Sequence, residues 1–195
     1  MSIELTTKLS NEYQELFASA VVNPAKQAAV KVMQDKITAN RLRYEQVEQA
    51  TKVPWFVVAT IHSLEGSLNF KTHLHNGDPL TARTVHVPKG RPLGKPPFTW
   101  EESAIDALQF DGLTTVTKWT LPMILFKLEG FNGFGYRTRH PEVLTPYLWS
   151  FTNHYQKGKF VADGKFDPNA VSKQCGGAAI LKALSLDGTI DISTE

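Results

Sequence analysis

The stretch VPWFVVATIHSLEGSLNFKTHLHNGDPLT, residues 53–81, decides how the rest of the chain is read. Pro54 opens an apolar run that is hydrophobic on most sides, the pattern of a buried helix. That run carries one carboxylate, Glu65, to its end, and Gly66 reads as the helix stop. Beyond it the texture changes. Hydroxyls, two histidines and the turn Asn76-Gly77-Asp78-Pro79 sit among short alternating pieces, which predicts a hairpin or ribbon with polar loops. An acid at a helix C-terminus has the wrong sign for the helix dipole, so its position costs a little unless it is used.

Working outward, the N-terminal side is helical. Residues 10–20 place Tyr13, Leu16, Phe17 and Ala20 on one face, with Ser10 as the expected N-cap. Asn23-Pro24 starts a second helix to residue 39, and Asn40 a third through Ala50. On the C-terminal side, KGRPLGKPP (residues 89–97) reads as an exposed, mobile basic loop. Thr99 and Glu102 form a capping box for a helix to Gln109. A hydrophobic helix over residues 121–128 has Pro122 in its first turn and ends in a glycine-rich turn. Residues 146–149 form a short aromatic stretch, 157–167 a loop or ribbon, and 177–186 a final core helix. No repeat, linker or low-complexity segment interrupts the chain. The expectation is an α+β, predominantly helical fold with a small β-hairpin region after the Glu65 helix. It forms a single domain over residues 1–195: N-terminal helices (1–52), a central core (53–150) and a C-terminal loop and helix (151–195).

Composition narrows the function classes. Apolar residues make up 42% and charged residues 21% of 195, ordinary for a soluble globular protein able to bury a core. A net charge of +2 suits an anionic polymer but is too weak to point to nucleic acid. Cys175 is the only cysteine, so no intramolecular disulfide holds the fold. No signal peptide or membrane-spanning run is visible, so synthesis in the cytoplasm is expected, with any action outside needing another route.

The residues also suggest chemistry. Glycoside hydrolysis needs a carboxylic acid held protonated near neutral pH, and a second group to stabilise the oxocarbenium ion or position water. Glu65 is the candidate acid, its carboxyl raised by the apolar run behind it. Asp78 is the next carboxylate along the chain, in a turn able to fold back, although an Asn-Gly-Asp-Pro acid is more often a turn residue. Ser67, Thr81 and Thr84 offer hydroxyls to orient water or sugar. Asn132, Tyr136 and Tyr147 offer an amide, phenols and ring faces for sugar recognition. His73 and His75, with Asp78, raise the alternative of a metal-dependent hydrolase. No H-E-x-x-H or Cys/His framework is present, so surface or hydrogen-bonding histidines and no metal are the preferred expectation, with His73 and His75 kept as candidates to line a cleft. The glycines of residues 130–135 lack the Lys-Ser/Thr ending of a phosphate loop.

IHSLEGSLNF, followed by a short β-region and then by LEGFNGFGY, resembles the lysozyme-like superfamily. The nearest parallels are goose-type lysozymes, soluble lytic transglycosylases, and phage and bacterial muramidases. The resemblance covers residues 53–149. It implies a lysozyme-like fold and a cofactor-free peptidoglycan glycosidase, acting as a monomer on glycan strands at the β-1,4 bond between N-acetylmuramic acid and N-acetylglucosamine. Glu65 maps onto the family's acid, Ser67 onto the polar position after it, and Phe131-Asn132-Gly133 onto its later Tyr-Asn-x-Gly turn. Phe131 replaces that tyrosine, so its hydrogen bond to the acid would come from Tyr136 or Tyr147. Asp78, in an insert foreign to the family pattern, lies about where goose-type enzymes carry a second carboxylate. Lytic transglycosylase activity with the same acid and an inactive wall-binding module are the alternatives. A phage endolysin, or a wall-degrading part of an injection apparatus, is the implied setting.

Overall fold

The computed structural model describes residues 3–194. Among them the architecture is α-rich: α1 Thr7–Ser19, α2 Gln27–Ala39, α3 Arg41–Thr51, α4 Trp55–Gly66, α5 Trp100–Phe110, α6 Leu121–Asn132, α7 Gly135–Arg139, α8 Pro146–Trp149 and α9 Gly177–Leu186. Two strands, β1 Lys159–Ala162 and β2 Lys165–Asp167, form one antiparallel sheet with Phe160 opposite Phe166. No helix among the described residues is long and apolar enough to cross a membrane. The chain packs as two compact units, the described part of Met1–Gln34 with Thr120–Glu195, and Asp35–Trp119. These divisions differ from the expected boundaries after residues 52 and 150.

In the first unit, Thr120 caps α6 by accepting from the Met123 amide, and Pro122 sits in the first turn, where its missing N–H is no loss. Leu121, Ile124, Leu125 and Leu128 are buried, and α6 packs on α1, α8 and α9. Helix α1 starts earlier than the Ser10 cap predicts, because the Thr6 hydroxyl accepts from Leu9 N at 3.2 Å and begins the helix there. The α8–α9 contact depends on Gly176. A Cβ at that position would lie 2.2 Å from the Leu148 carbonyl oxygen, so only glycine lets the two backbones meet.

In the second unit, α3 packs on α4 and α5. Every residue from Val57 to Leu64 is buried, as an all-round apolar helix requires. The Thr99–Glu102 capping box starts α5 as expected. His62, Tyr44, Phe70 and Trp100 form an aromatic cluster, with the His62 ring 4.5 Å from Trp100 and 4.6 Å from Phe70. The Arg43 guanidinium lies 4.0 Å from the Phe70 ring centre and pairs with Glu101 at 2.6 Å.

The hairpin expected directly after the Glu65 helix does not form. Between α4 and α5 the described backbone forms no strand, only the isolated bridge Thr72–Pro79 and scattered bonds such as His73 N to the Asp78 carbonyl and Thr84 N to the Arg91 carbonyl, and the one sheet lies at residues 159–167, in the segment read as loop or ribbon. Side chains fasten the 67–99 segment further. Asp78 accepts from the Val85 and His86 amides at 2.8 and 3.0 Å. The Thr84 hydroxyl bonds the Pro88 carbonyl and accepts from Arg91 N, and Arg83 donates to the Leu93 and Gly94 carbonyls. With its amides satisfied in this way, the segment needs no strand partner. The basic loop expected to be mobile is therefore held at several points.

Candidate functional site

Two places hold the predicted site residues, one in each unit. In the second unit, α4 ends immediately after Glu65. Ser67 and Leu68 both take left-handed backbone (φ 49° and 58°), and their amides cap the helix onto the His62 carbonyl. Two successive non-glycine residues in that region carry strain, a property common at functional sites. Gly66 is therefore the last helical residue rather than the left-handed stop. Its lack of a side chain has another cause: a Cβ there would lie 2.9 Å from Cδ2 of the buried His62 ring. Burial pushes the His62 pKa down to about 4, so the ring is neutral at physiological pH, with Tyr44 Oη 3.1 Å from Nδ1.

Glu65 and Ser67 are exposed, just past the buried run that ends at Leu64. The carboxylate that reaches it electrostatically is Asp111, at the C-cap of α5. Desolvation first, and the negative charge of Glu65 second, raise the Asp111 pKa.

Asp78 is engaged elsewhere. Its backbone bonds from His86 and Val85, with the His86 ring nitrogen at 2.7 Å, hold its carboxyl well below the usual range. A carboxylate so bound accepts hydrogen bonds and keeps no proton to give. The other inward-facing residues of the segment are fasteners too. His73 is fully buried with both ring nitrogens engaged, Nδ1 to the Ser103 hydroxyl and Nε2 to the Ala82 carbonyl, each at 2.8 Å. His75 Nε2 lies 2.7 Å from the Asp106 carboxylate, which also takes a two-pronged contact from Arg91. Thr84 is buried, whereas Thr81 is exposed. No group of three or more His, Cys, Asp or Glu side chains among the described residues is placed to hold a metal ion. His73, His75 and Asp78, the set weighed for a metal-dependent hydrolase, are instead fastened to separate partners.

The first unit brings Asn132, Tyr136 and Tyr147 together. They line a cleft of about 460 Å³ with Arg139, Lys159, Ser172 and Gln174, bounded on one side by the β1–β2 hairpin. Gly133 (φ 73°) ends α6 and turns the chain into α7. Tyr136 is buried, and its hydroxyl accepts from Phe160 N at 3.1 Å, which docks the hairpin against the cleft. Its phenol is thus a wall-builder more than an open hydrogen-bonding group. The Asn132 amide donates to the Thr145 hydroxyl at 3.4 Å. Sequence reasoning missed Arg139, Lys159 and Asp111. The two cations lie outside the aromatic pattern, and Asp111 follows a helix whose direction no local signal reveals.

A second cavity of the same unit, about 360 Å³, is lined in part by Glu12, Glu129 and Arg137. Glu129 is buried, accepts the Tyr13 hydroxyl at 2.7 Å and pairs with Arg137, which also reaches Glu12 at 2.6 Å. Burial and then the Glu129 charge push the Tyr13 pKa up. Burial works against the Arg137 charge, but Glu129 and Glu12 more than offset it. This network fastens α1 and α7 to α6. Comparisons with protein-family models, curated proteins and solved structures found no match for the chain.

Proposed function

We propose that the protein is a peptidoglycan glycosidase of lysozyme-like fold that cleaves the β-1,4 bond between N-acetylmuramic acid and N-acetylglucosamine, with Glu65 as proton donor. The observation that carries this reading is the presentation of Glu65. A helix buried along eight consecutive residues ends in one exposed carboxylate on a strained, His62-backed turn, with Asp111 within its electrostatic reach. Paired carboxylates with different surroundings are the working parts of glycoside hydrolysis. Asp111 takes the second-carboxylate role first considered for Asp78, whose oxygens are occupied by its own loop. The cleft with Asn132 and Tyr147 supplies saccharide contacts within the first unit. No step of the reaction calls for a cofactor.

The raised pKa of Asp111 favours a second assignment of roles, with Asp111 as the protonated partner and Glu65 as the ionised one. Turbidity clearance of bacterial cell walls tests both. Glu65→Gln is expected to lower the rate by about 10²–10⁴-fold, the scale of general acid catalysis. Lysis at the wild-type rate removes the proposal. If the acidic limb of the pH–rate profile disappears in Glu65→Gln and the basic limb disappears in Asp111→Asn, the exchanged roles hold. Products with reducing ends identify hydrolysis, and 1,6-anhydro ends identify transglycosylation.

A further inference from the structure

The cleft of the first unit carries a charge pattern that the glycosidase proposal does not use. Arg139 ends α7 and Lys159 begins β1, and both residues line the cleft. Neither makes a side-chain hydrogen bond or ion pair among the described residues. Arg137, two positions earlier on the same helix, shows the contrast: its guanidinium is consumed by Glu12 and Glu129. Nor does Asp167, opposite Lys159 in the hairpin register, neutralise that lysine, because its Oδ1 accepts from the Asn169 and Ala170 amides at 2.8 and 3.2 Å. Asp163 is the single acid among the cleft residues, so two cations face one carboxylate and the cleft favours a monoanion.

Its volume of about 460 Å³ fits a small ligand. Arginine forks onto a carboxylate through two parallel N–H donors, which makes it the better reader of that group, while lysine supplies a point charge. Around the pair, Asn132 and Ser172 provide an amide and a hydroxyl suited to a hydroxyl-rich ring.

We infer that this cleft binds a carboxylate-bearing saccharide and that Arg139 and Lys159 select it by its carboxylate. The choice of sugar in the test rests on the glycosidase proposal. The preference for a carboxylate rests on the cleft alone.

N-acetylmuramic acid is N-acetylglucosamine with a lactyl ether on O3, whose carboxylate is the one charge that separates the two sugars, so the salt dependence of the difference and its loss with the cations report the inferred contact. Titration of each, and of acetate, into the full-length Glu65→Gln protein, followed by NMR shifts of cleft amides, gives the three affinities. N-acetylmuramic acid is expected to bind about tenfold or more tighter than N-acetylglucosamine at low salt, with the gap narrowing as salt rises. The double variant Arg139→Gln, Lys159→Gln, added to that background and checked for an unchanged NMR fold, should lose the preference. It should keep the weaker N-acetylglucosamine affinity. Equal affinity for the two sugars, binding of neither, acetate matching the sugar acid, or a preference that survives the double variant each overturn the inference. Wall lysis separates the two proposals. Loss of lysis in Glu65→Gln without carboxylate preference leaves the glycosidase standing alone, and the reverse result leaves the cleft standing alone.

Discussion

The tripeptide Leu-Glu-Gly occurs in two helices of this chain, as residues 64–66 at the end of α4 and 128–130 near the end of α6, and its glutamates meet opposite fates. Glu65 is exposed, one residue before its helix ends in left-handed backbone. Glu129 is 1% exposed and held by a phenol and a guanidinium. The glycines differ as well. A Cβ on Gly66 would press on His62 at 2.9 Å, whereas one on Gly130 would meet Phe134 at an ordinary 3.8 Å. Identical local sequence thus yields a presented acid in one place and a structural rivet in the other. What differs is burial: Tyr13 and Arg137 close over Glu129, while Glu65 stays exposed.

The widest separation should come from the matched substitutions Glu129→Gln and Glu65→Gln. Removing one member of a buried charged pair strands the other, so Glu129→Gln is expected to cost about 3–5 kcal/mol of stability. Glu65→Gln, at an exposed position, should stay within about 0.5 kcal/mol by urea unfolding. Equal losses would erase the distinction between rivet and presented acid.

Acid should next reveal the base beneath Glu65. An unfolded-state histidine takes a proton near pH 6.5, while folded His62 resists until about pH 4. Across that window the unfolded chain binds more protons, so stability of the second unit falls as pH drops, by about 3 kcal/mol once below both values. Hydrogen exchange of α4 amides at pH 7 and pH 4.5, with a His62 ring titration by NMR, measures it. A ring that titrates near 6.5 in the folded protein contradicts the sealed aromatic cluster.

The smallest effects belong to the glycines. Gly130→Ala, exposed inside α6, should gain up to about 1 kcal/mol from helix propensity. Gly66→Ala should lose about 1–2 kcal/mol by forcing His62 to shift against Trp100 and Phe70. Melting temperatures of the two variants moving in the same direction would show that the His62 ring yields freely.

How far each feature was legible follows from where its information lies. The apolar run after Pro54, the Thr99–Glu102 capping box and Pro122 at the start of α6 are local signals, and each marks a helix that the structure contains. The 67–99 segment obeys no period because its order comes from irregular backbone bonds and from side chains that reach across the loop. Asp78 to Val85, Thr84 to Arg91 and His73 to Ser103 are pairings that neither hydropathy nor turn statistics encode. Asn132, Tyr136 and Tyr147 were legible as a set because aromatic and amide residues cluster around the glycine turn. Arg139 and Lys159 were not, since an exposed cation looks the same in sequence whether it faces open solvent or a cleft.

The fastened loop has a consequence for how this protein tolerates changes in length. Surface loops ordinarily absorb insertions cheaply, since closure entropy grows only slowly with size. Here the fasteners nest: Asp78 reaches forward to residues 85 and 86, Thr84 to 88 and 91, and Arg83 to 93 and 94. One extra residue between Asp78 and Arg91 would lengthen at least one span, and one between Thr84 and Val85 would lengthen all three. The loop therefore measures its own length, and natural variation in this chain should change its side chains far more readily than its residue count.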